Sequence, residues 1–236
     1  MNAPQPPESS SAPVPPSAPT TPTAAMIRTL GLVATICGLI IVGAYQGSFS
    51  AVQENKRIAL ERAVFKVIPS ARSIGEYFAT ANGVTPASGD TPPGAIRFYA
   101  GYDADGKLAG VAAEGAAKGY ADVVRILFAW IPECQCVTGF GLVSSRETPG
   151  IGDKILVDRD FLANFKELDV RLNADMNALA NEVKTVKHGT KTQPWQIDAI
   201  SGATITSRAV GRGINEAAQA LLPRVAPHLD SIRTKP

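Results

Sequence analysis

Between Asp198 and Val210 the sequence DAISGATITSRAV gathers four hydroxyls, Ser201, Thr204, Thr206 and Ser207, around Gly202-Ala203. Two kinds of chemistry want hydroxyls in such a place. Ser201 or Thr204 can cap a helix by accepting a hydrogen bond from a first-turn amide. The same helix start offers unpaired amides and a positive dipole end, which suit a phosphate. Arg208 and Arg212 follow one and two turns in and would add positive charge. The segment is not a Walker motif, because the glycine-rich loop and the Lys-Ser/Thr pair are absent. A threonine hydroxyl is a weak nucleophile at its free pKa, so covalent chemistry on it calls for a separate enzyme.

A second segment, Arg146-Glu147-Thr148-Pro149-Gly150-Ile151-Gly152-Asp153-Lys154, has the composition of a tight turn. Glycine supplies backbone freedom there and proline fixes its neighbour. Its exposed amides and Thr148 can hydrogen-bond a planar heteroaromatic edge, Lys154 can meet a negative group, and Glu147 is an acceptor or orders the loop. His188 and His228 stand apart, so no histidine-based metal cluster is available. Cys134 and Cys136 cannot complete a tetrahedral metal site alone. Read as an extended strand, their side chains point the same way without meeting disulfide geometry, so an unbridged, inert pair is expected.

The elements that must position these segments are visible in the periodicity. Ile205, Ala209/Val210, Ile214, Ala217/Ala218 and Leu221/Leu222 recur on one helical face up to Pro223. Residues 95–102 and 108–113 read as strands around the turn Asp103-Ala104-Asp105-Gly106-Lys107. Residues 123–131 and 136–143 are two further apolar runs, and 195–199 is a strand or an extended lead-in. Helical patterns are expected over 160–165 and 174–186, and residues 70–94 read as a loop. The mixture indicates an α+β (or α/β) fold with a mixed or mostly antiparallel sheet.

The chain has 23 Lys+Arg against 21 Asp+Glu, a balance that gives no reason to expect a nucleic-acid binder. Residues 1–25 hold eight of the 18 prolines and one charged side chain, Glu8, and are expected to be a disordered tail. No charge occurs from Thr29 to Gln53, a run longer than the roughly 20 residues that cross a bilayer. A retained transmembrane helix over 26–50 is expected; the rival is a signal peptide cleaved near Ser48-Phe49-Ser50. A juxtamembrane helix over 51–69, a globular domain over 70–225 and a C-terminal tail over 226–236 complete the division. Arg28 before the span and Lys56, Arg57 and Arg62 after it leave the orientation open.

Asp198-Ala199-Ile200-Ser201-Gly202-Ala203-Thr204 resembles the flavinylation motif D-x-x-[S/T]-G-A-T of the bacterial FMN-binding domain. The segment ETPGIG resembles that family's ETPGLG loop, with Ile151 in place of leucine. The two motifs, their order and the N-terminal anchor are similar to the G subunit of the Rnf electron-transport complex, and more distantly to the C subunit of the sodium-pumping NADH:quinone reductase. The resemblance spans about residues 26–222. It implies that Thr204 carries FMN through a phosphoester, while Asp198, Ser201, Gly202 and Ala203 form the segment read by a flavin transferase. Thr148, Gly150, Ile151 and Gly152 would lie near the flavin. A histidine often precedes ETPG in the family; here Ser144-Ser145-Arg146 stands in its place. The resemblance also implies an inner-membrane electron-transfer subunit, its tail cytoplasmic and its flavin domain periplasmic. It would work beside membrane and iron-sulfur subunits of a translocase coupling electron transfer between ferredoxin and NAD(H) to ion movement. Alternatives are the flavin subunit of a sodium-translocating NADH:quinone reductase and a non-enzymatic anchored binding domain.

Overall fold

The computed structural model describes residues 22–235, so most of the segment expected to be a proline-rich tail lies outside the described residues. The chain divides into two compact units, Met1–Gln53 and Glu54–Pro236. The first helix, α1 (Thr23–Val67), is among the described residues the one helix long and apolar enough to cross a bilayer. Within the first unit its side chains are exposed all round, Leu30, Leu39, Ile40 and Ile41 among them. An apolar surface on every side is the pattern of a helix solvated by lipid.

The second unit is built on a seven-stranded antiparallel sheet in the order β2-β1-β3-β4-β5-β6-β7. Its strands are β1 (Ser73–Thr80), β2 (Gly83–Pro86), β3 (Ile96–Tyr102), β4 (Leu108–Lys118), β5 (Val123–Ile131), β6 (Cys136–Ser144) and β7 (Leu168–Asp169). The short helix α2 (Arg159–Ala163) precedes β7. A parallel pair, β8 (Lys184–Val186) and β9 (Gln196–Asp198), leads into the long helix α3 (Thr204–Val225). The fold is thus α+β with an antiparallel sheet, as the mixed pattern of the sequence indicates.

The central strands are buried on both faces, which is why they read as apolar runs rather than as an alternation. Phe98, Val111, Ala113, Ile126, Phe128 and Trp130 share a cluster with Val210, Ile214, Ala218, Leu221 and Leu222 of α3. On the opposite face Tyr99, Ala112, Leu127 and Ala129 pack with Val64, Val67 and Ile68. Each strand therefore alternates between two cores, and α3 is fixed across the sheet.

Several expectations are corrected. Residues 70–94 contain β1 and β2, with Tyr77 and Phe78 buried. Residues 174–186 are turns ending in β8 rather than a helix. Asn173 Nδ2 donates to Asn177 Oδ1, and the amide of Asn177 donates to Asn173 Oδ1. Gln219 and Asn215 of α3 accept from the amides of Leu179 and Val183, at 3.0 Å and 2.9 Å. Helix α3 runs through Pro223 to Val225, because one lost amide is tolerable in the last turn. The segment beyond it, expected to be a tail, buries Ile232 and bonds back to the β3–β4 turn, with Leu108 N donating to Arg233 O at 2.9 Å. Cys134 and Cys136 form a disulfide with Cα atoms 5.1 Å apart. They do not share an extended strand. Cys134 lies in the β5–β6 turn, closed by Gln135 N donating to Pro132 O, and Gln135 takes a φ of 51°, which brings the two side chains together.

Candidate functional site

Strand β9 ends at Asp198, and seven residues later the chain is already in the first turn of α3. Asp198 is fixed from three sides. Its amide donates to Asn164 Oδ1 at 3.0 Å, and its carbonyl accepts from Asn164 Nδ2 at 3.3 Å. Its Oδ2 accepts from the amide of Gly189 at 2.8 Å, while its Oδ1 is buried without a hydrogen-bond partner. His188 Nδ1 lies 3.0 Å from the carbonyl of Ala199, a contact in which the ring nitrogen donates, and 3.8 Å from Asp198 Oδ2. Asn164 is itself buried and receives Lys191 Nζ at 3.1 Å. Neither Asn164 nor His188 stands out in the sequence, since both act only through tertiary contacts.

The four hydroxyls of DAISGATITSRAV divide sharply. Ser207, fully buried, accepts from the amide of Ile200 at 3.1 Å and donates to the carbonyl of Ala203 at 2.9 Å. It thereby staples the turn onto the helix from the inside. Thr206, also buried, donates to Glu147 Oε2 at 2.7 Å. Ser201 is exposed, at a turn where Gly202 takes a φ of 82°, a conformation costly for any residue with a Cβ. Thr204 is half-buried, and its hydroxyl makes one long contact, 3.3 Å to the carbonyl of Ile200. The expected cap is absent: Ala203 is the N-cap residue and no side chain caps the helix. The first amides of α3 therefore lack both an intrahelical acceptor and a side-chain cap.

Glu147 ties this helix start to the rest of the site. Its Oε1 accepts from the amides of Ala121 and Asp122 at 3.0 Å and 3.4 Å, in the turn between β4 and β5. Desolvation raises its pKa, but the bonds from Thr206 and from the amides of Ala121, Asp122 and Tyr120 together outweigh it. They hold the carboxyl below the usual carboxylate range. Gly152 packs so closely on Glu147 that an added Cβ would collide with that side chain. The Thr148–Gly152 turn is closed by Gly152 N donating to Thr148 O at 2.9 Å.

These three segments enclose a cavity of about 420 Å³, lined by Tyr120, Glu147, Thr148, Ile151, Gly152 and residues 202–206. Of the expected site residues, Thr148, Ile151, Gly152, Gly202, Ala203 and Thr204 meet here. Asp198, Ser201 and Gly150 do not line it; Asp198 braces the turn behind the site. Three lining side chains are exposed apolar groups: Tyr120 (70%), Ile151 (50%) and Ile205 (46%). Tyr120 lies outside both motifs, and the signal for it in the sequence is Gly-Tyr-Ala-Asp, which marks a turn between two apolar runs. Arg208 and Arg212 are not at this cavity. They line a neighbouring groove with Lys184 and Thr185, and Arg212 is engaged by the carbonyl of Lys118 at 2.8 Å.

The cavity has the size of small-ligand sites, with an apolar rim, a hydroxyl-bearing floor and an uncapped helix start. An aromatic ring carrying a phosphate fits this set: Tyr120, Ile151 and Ile205 for the ring, the first amides of α3 and Thr204 for the phosphate.

Comparison with known proteins gives a consistent picture. The FMN-binding domain family matches residues 119–219, a stretch that contains the whole cavity lining. The chain is 29% identical to the G subunit of a proton-translocating ferredoxin:NAD(+) oxidoreductase complex from Clostridium ljungdahlii, over 83% of this chain and 89% of that one. It is likewise 29% identical to the G subunit of an ion-translocating oxidoreductase complex from Shewanella piezotolerans, over 76% of this chain and 80% of that one. Among solved structures, NqrC of Shewanella oneidensis is 20% identical, with a TM-score of 0.53 over 76% of this chain and 96% of that one. At that identity the likeness speaks to the fold.

Proposed function

We propose, from the premise that this chain belongs to the FMN-binding-domain family of Rnf/Nqr ion-translocating oxidoreductase G and C subunits, that it is a membrane-anchored electron-transfer subunit. In this reading it carries FMN as a phosphoester on Thr204. The observation that carries the assignment is the division of the hydroxyls. Thr204 is the one hydroxyl of the motif that lines the cavity and stays partly accessible, whereas Thr206 and Ser207 are buried and engaged, and exposed Ser201 lies off the cavity.

Attachment forms a bond between Thr204 Oγ1 and phosphorus, releases the hydroxyl proton, and displaces the group that carried the phosphoryl in an activated flavin nucleotide. No base contacts the Thr204 hydroxyl among the described residues, which supports a separate transferase that reads the segment 198–204. When bound, the flavin supplies the redox chemistry. The protein's own part is positional. Glu147 holds the loops in register, the first amides of α3 would hold the phosphate, and Tyr120, Ile151 and Ile205 would hold the ring. A carrier site of this kind needs no side chain to act as acid or base.

The working complex in this proposal passes electrons between ferredoxin and NAD(H) through membrane and iron-sulfur subunits, coupled to ion movement across the inner membrane. The names of the G-subunit relatives support it over an NADH:quinone reductase. The Cys134–Cys136 disulfide supports placing the domain on the oxidising, periplasmic side, which the flanking charges leave open. A denaturing gel tests the central point. Protein co-expressed with a competent transferase should show a flavin-fluorescent band that is lost in Thr204→Ala; a wild-type protein without the band would refute covalent attachment.

A further inference from the structure

We propose that the Cys134–Cys136 disulfide is a thiol–disulfide exchange site, a two-electron centre separate from the flavin cavity, whose substrate is a dithiol. The bridge spans only two positions in sequence, so it closes a minimal loop and removes little entropy from the unfolded chain. It adds nothing to the topology, because Ile131 and Cys136 are already partners in the β5–β6 ladder and Gln135 N already closes the turn on Pro132 O. Gln135, a residue with a Cβ, takes a φ of 51° between the two cysteines, in a turn that its own amide also closes. A crosslink that is dispensable for the fold is one whose reduction is easily tolerated.

Access points the same way. Cys134 is exposed at the tip of the turn, and Cys136 is buried, 4% exposed, at the start of β6. Beside them lies a cavity of about 150 Å³ lined by Glu167, Asp169, Arg171 and Pro194, in which a small thiol can reach the bridge. Arg171 is paired there with Asp169, its Nε donating to Oδ1 at 3.1 Å, and with Glu167 it gives the cavity a polar wall. The site is remote from the flavin. The β4–β5 turn that carries Tyr120 and the β5–β6 turn that carries Cys134 lie at opposite ends of β5, about 26 Å apart at the rise of a strand. The dithiol, not the flavin cavity, is therefore the source of the electrons.

The exchange balances in two displacements. A thiolate of the dithiol attacks Cys134 Sγ, breaking the Cys134–Cys136 bond, and Cys136 leaves as a thiolate that takes a proton from water. The second thiol of the dithiol then attacks the mixed disulfide and releases Cys134, which is protonated in turn. The bridge has gained two electrons and two protons, and the dithiol has become a disulfide.

The test uses the purified full-length protein in detergent without denaturant, equilibrated with mixtures of reduced and oxidised dithiothreitol. Free thiols are then trapped with N-ethylmaleimide and counted peptide by peptide by mass spectrometry. The expected result is that Cys134 and Cys136 become labelled together as the reduced fraction rises, that oxidised dithiothreitol reverses it, and that circular dichroism is unchanged. A bridge that opens only after unfolding, or thiols already free in protein isolated without reductant, would overturn the proposal. The direction of attack is read from single variants exposed to oxidised glutathione. Cys136→Ser should take up one glutathione at Cys134, whereas Cys134→Ser should leave Cys136 unmodified in the folded protein; the opposite pattern would overturn the assigned order. The wild-type titration stands even if a variant folds poorly.

Discussion

The two ends of β5 are ordered by opposite means. At one end, the β4–β5 turn, the Thr148–Gly152 turn and the start of α3 are joined by non-covalent bonds meeting at Glu147, Ser207 staples the start of α3 from within, and a cavity is left between them. At the other end the turn is tight, well paired, and closed by a covalent bridge. Bond strength is a poor guide to structural need. The hydrogen bonds hold apart segments that would otherwise collapse or drift, while the disulfide joins residues that the ladder already holds together.

That contrast can be broken or sharpened by substitution. Ser207→Ala is expected to have the largest effect on stability, about 2 kcal/mol, because it strands the buried amide of Ile200, while the carbonyl of Ala203 keeps the backbone amide of residue 207 as its donor. A urea midpoint shift at constant slope measures it. Glu147→Gln should cost about 1 kcal/mol, since water reaches this half-buried group and an amide can replace only part of its acceptor set. It should also lower flavin incorporation, seen as weaker in-gel fluorescence at equal protein.

Acid adds a third handle. The folded-state pKa of Glu147 lies below its unfolded value. Its contribution to stability is therefore present above the ordinary carboxylate value and is lost as pH falls through the folded one. Urea midpoints measured from neutrality down to about pH 3 should fall more steeply in wild type than in Glu147→Gln. The smallest effect belongs to the other end of the strand. Replacing both Cys134 and Cys136 by serine removes about 1.5 kcal/mol of loop-closure entropy, offset by freeing Gln135 from its left-handed conformation. The net change in the urea midpoint should correspond to about 1 kcal/mol or less. A large loss would show that the bridge is structural after all.

What was legible in the sequence follows the same division. The apolar runs of β3 to β6 and the helical face of α3 could be read because burial is written into their periodicity. The two motif segments could be paired, and the structure brings Thr148, Ile151, Gly152 and Thr204 to one cavity. Residues 174–186 misled because their alanine and leucine spacing mimics a helix, while their amides are taken by Asn215 and Gln219 from far along the chain. The Cys134–Cys136 bridge is not legible in the sequence because the left-handed Gln135 interrupts the extended geometry that the flanking apolar runs suggest. Thr206 and Ser207 are chemically equal to Thr204 in sequence; only burial and the partners Glu147, Ile200 and Ala203 separate them.

The central claim is that Thr204, alone among those hydroxyls, carries the flavin. Tryptic cleavage after Lys191 and Arg208 isolates Thr192–Arg208, one peptide holding all four candidates. Fragmentation mass spectrometry of that peptide, from protein matured with the transferase, should place an FMN phosphoryl mass on Thr204 and leave Ser201, Thr206 and Ser207 unmodified. An unmodified peptide, or a flavin mass on the buried Thr206 or Ser207, would contradict the account.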